Sequence, residues 1–178
     1  MPIVRAEVAI LGDVQTGKTS LIHAFLNETP KQILPTMLPE IYSKKLRIPE
    51  SDTHVELYLL DTPAHPLAWQ ITQKAITDST FLILTVSSTS KDSFDLCSHW
   101  LRTFRDATMI EKPKGVLVVN QFEGTSVMSE SESQSFAKTL GLHCVWVSVN
   151  SGKDVDLPFA MISQFAFNQN KREKDAQQ

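Results

Sequence analysis

Cysteine, glycine and long apolar runs are all scarce in this 178-residue sequence, and each scarcity excludes something. The 2 cysteines, Cys97 and Cys144, are far apart and in no metal-ligand spacing, so neither a disulfide framework nor a cysteine-ligated zinc site is expected. That usage points to reduced thiols and a cytoplasmic compartment. No apolar run approaches the roughly 20 residues of a spanning helix, and Met1-Pro2-Ile3-Val4-Arg5-Ala6-Glu7 lacks the pattern of a signal peptide. Lys and Arg total 17 against 20 Asp and Glu, a formal net charge of −3. A nucleic-acid or anionic-membrane binder needs a basic excess instead. The end, Lys174-Asp175-Ala176-Gln177-Gln178, carries no cysteine for prenylation, and Met1-Pro2 excludes N-myristoylation, so no direct membrane anchor is expected.

Of the 6 glycines, two fall close together in Gly12-Asp13-Val14-Gln15-Thr16-Gly17-Lys18-Thr19. An apolar run, Ala6 to Leu11, precedes this stretch, and an apolar-periodic segment, Ser20 to Leu26, follows it. Gly-x-x-x-x-Gly-Lys-Thr between a strand and a helix is the P-loop pattern. Gly12 and Gly17 allow backbone angles that turn consecutive N–H groups inward on a polyphosphate. The following helix points its positive end at the same anion. Lys18 adds a point charge for the β- and γ-phosphates, and the Thr19 hydroxyl can ligate Mg²⁺. The chain reads as a binder of a nucleoside triphosphate.

Strand-like and helix-like segments alternate along the rest, which predicts an α/β fold. Six strands are expected near Glu7–Leu11, Glu40–Pro49, His54–Leu60, Phe81–Ser87, Gly115–Val119 and His143–Val147. The second and third form a hairpin across Glu50-Ser51-Asp52-Thr53 and place one antiparallel edge strand on a mostly parallel sheet with helices on both faces. Glu28–Pro39, with three prolines, reads as a loop over the nucleotide. Helices are expected after the P-loop to about Asn27, after Asp61 to about Asp78, over Ser90–Asp106, up to Leu140, and from about Asp156 to Asn170. Ser126–Ser135, a Ser/Glu cluster, reads as a loop or a helix start. A single domain spans 1–170, followed by a polar, frayed tail at 171–178. Trp100 and Trp146 read as core; Trp69 fits a partner surface or the core.

Five further pieces fall where a P-loop GTPase needs them, and here the sequence resembles the Rab-like branch of the small GTPases across nearly its whole length. Thr36, in Leu34-Pro35-Thr36-Met37, sits where that family keeps a threonine that ligates Mg²⁺ and senses the γ-phosphate. Asp61, in Leu60-Asp61-Thr62-Pro63-Ala64-His65, matches the acidic residue that holds Mg²⁺ through water. Ala64 replaces a glycine whose N–H meets the γ-phosphate, and His65 stands at the position of the water-orienting glutamine, which makes it the implied catalytic residue. Asn120-Gln121-Phe122-Glu123 resembles the base-reading Asn-Lys-x-Asp motif, with Asn120 and Glu123 reading guanine and Gln121 in place of the lysine. Ser148-Val149-Asn150 resembles the Ser-Ala-Lys loop. Val14 and Gln15 replace small residues and glycine in the P-loop.

The resemblance implies GTP or GDP with Mg²⁺ as ligands. Contacts are implied from Gly12, Asp13, Val14, Gln15, Thr16, Gly17, Lys18, Thr19 and Ser20, and from the positions just quoted. Thr19, Thr36 and Asp61 form the implied metal set. Within the branch, the relaxed P-loop, the missing glutamine and Gly152-Lys153-Asp154-Val155-Asp156-Leu157-Pro158-Phe159 resemble the Rab-like GTPase of intraflagellar transport, which works in the cytoplasm and at the cilium or flagellum and its base. That implies a protein partner, the small β-sandwich subunit of the same machinery, in a 1:1 heterodimer.

Leu157, Phe159, Ala160, Met161, Ile162, Phe165, Ala166 and Phe167 surround most of the last helix, whose apolar excess predicts docking in part on that helix. Two other functions compete. One is a non-enzymatic adaptor on a degenerate GTPase fold. The other is a P-loop small-molecule kinase, disfavoured because the arginines are unclustered along the sequence.

Overall fold

The computed structural model describes residues 2–28, 35–49 and 51–176. Half of the loop expected over the nucleotide, residues 29–34, therefore lies outside the described residues, as does Glu50 of the hairpin turn. Six strands form one sheet in the order β2-β3-β1-β4-β5-β6. They are β1 (Ile3–Gly12), β2 (Glu40–Arg47), β3 (His54–Asp61), β4 (Phe81–Ser87), β5 (Lys114–Asn120) and β6 (His143–Val147). Only β2 runs antiparallel, pairing with β3 from Glu40↔Asp61 to Arg47↔His54. The other neighbours are parallel.

The period-2 alternation of the central strands divides two cores. Val8 and Ile10 of β1, Ile83 of β4 and Val116 and Val118 of β5 face one side. Ala9 and Leu11, Leu82 and Leu84, and Leu117 and Val119 face the other. Strands buried on both faces read as near-continuous apolar runs; β4 is buried over all its residues and apolar except at Thr85 and Ser87. Helices α1 (Lys18–Leu26) and α6 (Leu157–Asp175) cover the first face. Here Phe25 and Phe159 stack with centroids 3.8 Å apart, and Lys44 lies over the Phe25 ring while donating to the Phe25 carbonyl. The second face takes α2 (Trp69–Ala75), α3 (Lys91–Asp95), α4 (Cys97–Thr108) and α5 (Glu130–Leu140).

Several expectations are refined. The helix anticipated over Ser90–Asp106 is capped by Ser90, whose hydroxyl accepts from the Ser93 N–H. Phe94, Cys97, Leu101 and Phe104 on its apolar face are buried, but Leu96, at ψ −7, divides it into α3 and α4. Hydrogen bonds from Leu96 N–H to Asp92 O and from Trp100 N–H to Leu96 O run across the irregular residue. The Ser/Glu cluster is a helix start: Ser129 and Glu132 form a reciprocal capping box. Both hydrogen bonds from Ser129 hold the Glu132 carboxyl below its ordinary range. Trp69 is half-buried, its ring 4.2 Å from that of His99. Trp100 is buried; Trp146 is half-buried and donates from Nε1 to Ser133 Oγ at 2.8 Å.

The C-terminus needs two corrections. First, α6 continues through the expected tail to Asp175. Arg172 and Lys174 in its last turn complement the negative end of the helix, and Gln169 Nε2 donates to Glu173. Second, the expected apolar excess is mostly absorbed by the first core. Phe159, Ile162 and Ala166 are buried, while Met161, Phe165 and Phe167 are half-buried against it. Only Leu157 and Ala160 of that set stay exposed. No described helix is long and apolar enough to cross a membrane.

The Phe25–Phe159 stack joins α1, and hence the P-loop, to α6. Phe159→Ala empties a site with no solvent exposure, so we expect a loss of about 3–5 kcal/mol in unfolding free energy, measured by denaturant titration. A loss below about 1 kcal/mol would contradict this packing.

Candidate functional site

The C-terminal ends of β1, β3 and β5 open on one cleft of about 530 Å³. Between β1 and α1 the chain forms a tight loop. Gly12 has φ 148, and a Cβ there would lie 2.4 Å from the Thr85 carbonyl oxygen. Gly17 has φ 88, and its Cβ would come 2.3 Å from Asn120 Nδ2. Both positions require glycine. Gln15 lies at φ 59, the left-handed region a side chain enters at a cost of about 1–2 kcal/mol. Glycine would take that angle freely.

Lys18 is 8% exposed, and its Nζ donates to the Gly12 and Asp13 carbonyls at 2.9 Å each. Burial pushes its ammonium down to about 8, while Asp61 and Asp13 pull the other way. Thr16 Oγ1 donates to the Asp13 carbonyl and sits 2.7 Å from Thr85 Oγ1. Asp13 Oδ1 accepts from the Val14 N–H.

Three hard oxygens meet at the floor of the cleft. Thr19 Oγ1 donates to Asp61 Oδ2 at 2.6 Å, Thr36 Oγ1 lies 3.4 Å from that oxygen, and the hydroxyls are 2.9 Å apart. The other carboxylate oxygen, Oδ1, is buried and has no hydrogen-bond partner among the described residues. Burial raises the Asp61 pKa above the ordinary carboxylate value, partly offset by Thr19 and Lys18. An unpartnered buried oxygen beside two hydroxyls is a donor set for a small hard cation, and it fits Mg²⁺. The described residues hold no cluster of three or more His, Cys, Asp or Glu that could take a metal alone. Phosphate oxygens and water complete such sites in nucleotide-binding proteins.

Behind the loop, Asn120 is almost fully buried. Its Nδ2 donates to the Thr16 carbonyl and its Oδ1 accepts from the Val149 N–H, each at 3.3 Å. Beyond Asp61, Thr62 Oγ1 donates to the Ile10 carbonyl, and Thr72 Oγ1 to that of Pro63. His65 is exposed on the rim, where its Nδ1 accepts from the Leu67 N–H at 3.2 Å and caps the single turn Pro66–Ala68. The proton of the neutral ring then sits on Nε2.

Most anticipated residues come together. Val14, Gln15, Gly17, Lys18, Thr19, Ser20, Thr36, Ala64, His65, Asn120, Val149 and Asn150 line the cleft. Gly12, Thr16 and Asp61 lie beneath it. Gln121, Glu123 and Ser148 do not line it. Gln121 N–H continues the sheet edge by donating to the Val147 carbonyl, and Ser148 pairs with Lys153 in an isolated bridge. Phe122 was missed. Its ring lines the cleft and lies 3.8 Å from a Cβ placed on Gly17, while its N–H donates to Ser88 Oγ. An aromatic two residues after Asn120 was the available signal. Pro35, Met37 and Thr62 complete the lining.

A mostly parallel sheet carrying a glycine loop, a hydroxyl–carboxylate cluster and a carboxamide behind the loop is the P-loop GTPase architecture. The Ras family model matches residues 7–167, and the chain belongs to that family. It is 28% identical to the intraflagellar transport protein 27 homolog of Homo sapiens over 174 residues, 95% of this chain and 93% of the relative. It is 29% identical to intraflagellar transport protein 27 of Chlamydomonas reinhardtii over 181 residues, 97% of this chain and 88% of the relative. Ras-related protein Rab-42 of Mus musculus is 27% identical over 161 residues, 88% of this chain and 74% of the relative. The chain is thus a Rab-like small GTPase by relationship.

The raised Asp61 pKa fixes the sign of a pH effect. The folded protein holds this proton more tightly than the unfolded chain, so ionisation at neutral pH costs stability, and acid removes the cost. Asp61→Asn is therefore expected to raise the melting temperature of the metal-free protein at neutral pH. The gain should shrink toward pH about 4, and Mg²⁺ with GDP should stabilise the variant less than the parent. A variant that melts lower than the parent in chelator at neutral pH would contradict the burial argument.

Proposed function

We propose that this chain binds GTP and GDP with Mg²⁺, hydrolyses GTP very slowly, and serves the intraflagellar transport machinery. The reading is carried by the cluster of Thr19, Thr36 and Asp61 with its unpartnered buried oxygen, set beside a glycine loop and Lys18. In this reading the N–H groups of residues 13–19 and Lys18 hold the phosphates. Thr19, Thr36 and Asp61 hold Mg²⁺, which when bound neutralises phosphate charge. Asn120 orders the loop under the base, and Phe122 gives the base an apolar face in place of the absent lysine stem. In this reading guanine selectivity rests on Glu123 and Ser148, which do not line the cleft, because the Val149 N–H is already donated to Asn120 Oδ1.

His65 is a poor replacement for the water-orienting glutamine. Its Nδ1 is engaged with the Leu67 N–H, so the ring offers Nε2–H rather than a free lone pair. That observation also favours a second reading, an adaptor that holds nucleotide without useful turnover. Relatives named for intraflagellar transport support a place with protein partners at the cilium or flagellum and its base. A 1:1 heterodimer with the small β-sandwich subunit would use the exposed Leu157 end of α6, since Phe165 and Phe167 are half-buried.

Single-turnover measurement with GTP and Mg²⁺ is expected to give about 10⁻⁴ s⁻¹ or slower, the scale of unassisted small GTPases. His65→Gln should turn over no more slowly than the parent. A tenfold loss on that change would make His65 a working catalytic residue and overturn the slow-turnover reading. Absence of any GTP complex would overturn the nucleotide reading itself.

A further inference from the structure

At the opposite end of the sheet from the nucleotide cleft lies a second concavity, of about 560 Å³. It opens where β5 and β6 begin, between the last turns of α4 and α5 and the C-terminal half of α6. Five cations line it: Arg105, Lys112, Lys114, Lys138 and Arg172. No Asp or Glu lines it, in a protein whose formal net charge is −3. None of the five is in an ion pair among the described residues. Arg105 Nε is buried and has no hydrogen-bond partner. Asp106 and Glu111 line an adjoining groove that shares Arg105.

Part of this positive charge has a local explanation. Arg105, Lys138 and Arg172 sit in the last turns of their helices, where cations complement the carbonyl ends. Each helix end supplies only about half a negative charge, so three of them do not balance five cations. Lys112 and Lys114 belong to no helix end. The floor is apolar, made by the buried Pro113 and the half-buried Leu140 and Phe165, the last beside the His143 ring at 5.2 Å.

We propose that this groove docks an acidic segment of a partner protein, with carboxylates on the cationic rim and apolar side chains on the floor. Charge complementarity selects the sign, and the cationic rim offers charge-assisted hydrogen bonds to carboxylates. Concavity and the apolar floor favour a peptide segment over a membrane, which presents a broad surface and would be repelled by the net negative protein. The volume lies in the range of formed binding sites, roughly 300–1,000 Å³. β5 spans 7 residues between this groove and Asn120, about 20 Å, beyond the Debye length at physiological salt. Docking is therefore independent of whether GTP or GDP fills the cleft.

The test uses the full chain in its nucleotide-bound form and a fluorescent peptide that alternates aspartate with leucine and phenylalanine, read by anisotropy. Binding should weaken with added salt and be equal within twofold in GDP and in a GTP analogue. The double variant Lys114→Glu, Lys138→Glu, both exposed positions, should bind at least tenfold more weakly while keeping the parent's melting temperature and GDP affinity. As a second probe, amide shifts in NMR should move at Gly115, Gly141 and Asn168. The proposal is overturned if the peptide fails to bind at millimolar concentration, if its asparagine version binds equally well, or if charge reversal leaves affinity unchanged. It is also overturned if phosphatidylserine vesicles, and not the peptide, are the charge-sensitive ligand.

Discussion

The cleft depends on one carboxamide. Asn120 sits at the end of β5 and reaches in two directions, to the Thr16 carbonyl of the glycine loop and to the Val149 N–H beyond β6. A buried amide with both ends occupied avoids the desolvation cost of an unpaired polar group, roughly 1–3 kcal/mol each. It also fixes the glycine loop against the loop after β6, two segments that no strand pairing joins. The same contact explains the glycine at 17, where any side chain would collide with the carboxamide. The glycine loop and the loop after β6 are thereby held as one unit.

Within that unit the protein buries an ammonium and a carboxylate, Lys18 and Asp61. Each is driven toward its neutral form by burial and partly restored by the other. A protein carrying such groups alone gives up stability; one that presents them to a polyphosphate and a divalent cation recovers it on binding. The unpartnered Asp61 Oδ1 is where this cost is most visible. Function and local instability share the same atoms.

Much of this was legible in the sequence, for local reasons. The P-loop is a contiguous pattern between a strand and a helix, and strands buried on both faces announce themselves as apolar runs. Asp61 was legible because an acid ends such a run. Other features depend on partners far along the chain. The bond from Asn120 to Thr16 crosses 104 positions, and the side chain that enters the cleft after Asn120 is Phe122, not Glu123. The polar stretch at Lys171–Asp175 looked like a tail because its composition lacks an apolar stripe, yet it extends a helix already docked by Phe159 and Ile162. The apolar circumference of α6 suggested exposure, because which residues the core would cover is not a local property. The kink at Leu96 has no Gly or Pro to mark it.

The two ends of the sheet thus carry different chemistry: glycine, hydroxyl and carboxamide groups at one, and at the other cations with no ion pair among the described residues. The central claim concerns the first end, that its cleft holds a guanine nucleotide with Mg²⁺. Competition titration of a fluorescent GDP complex with GTP and with ATP, in Mg²⁺, tests it most directly. The account predicts displacement by GTP at concentrations at least a hundredfold below those needed for ATP. Equal displacement by the two would contradict it.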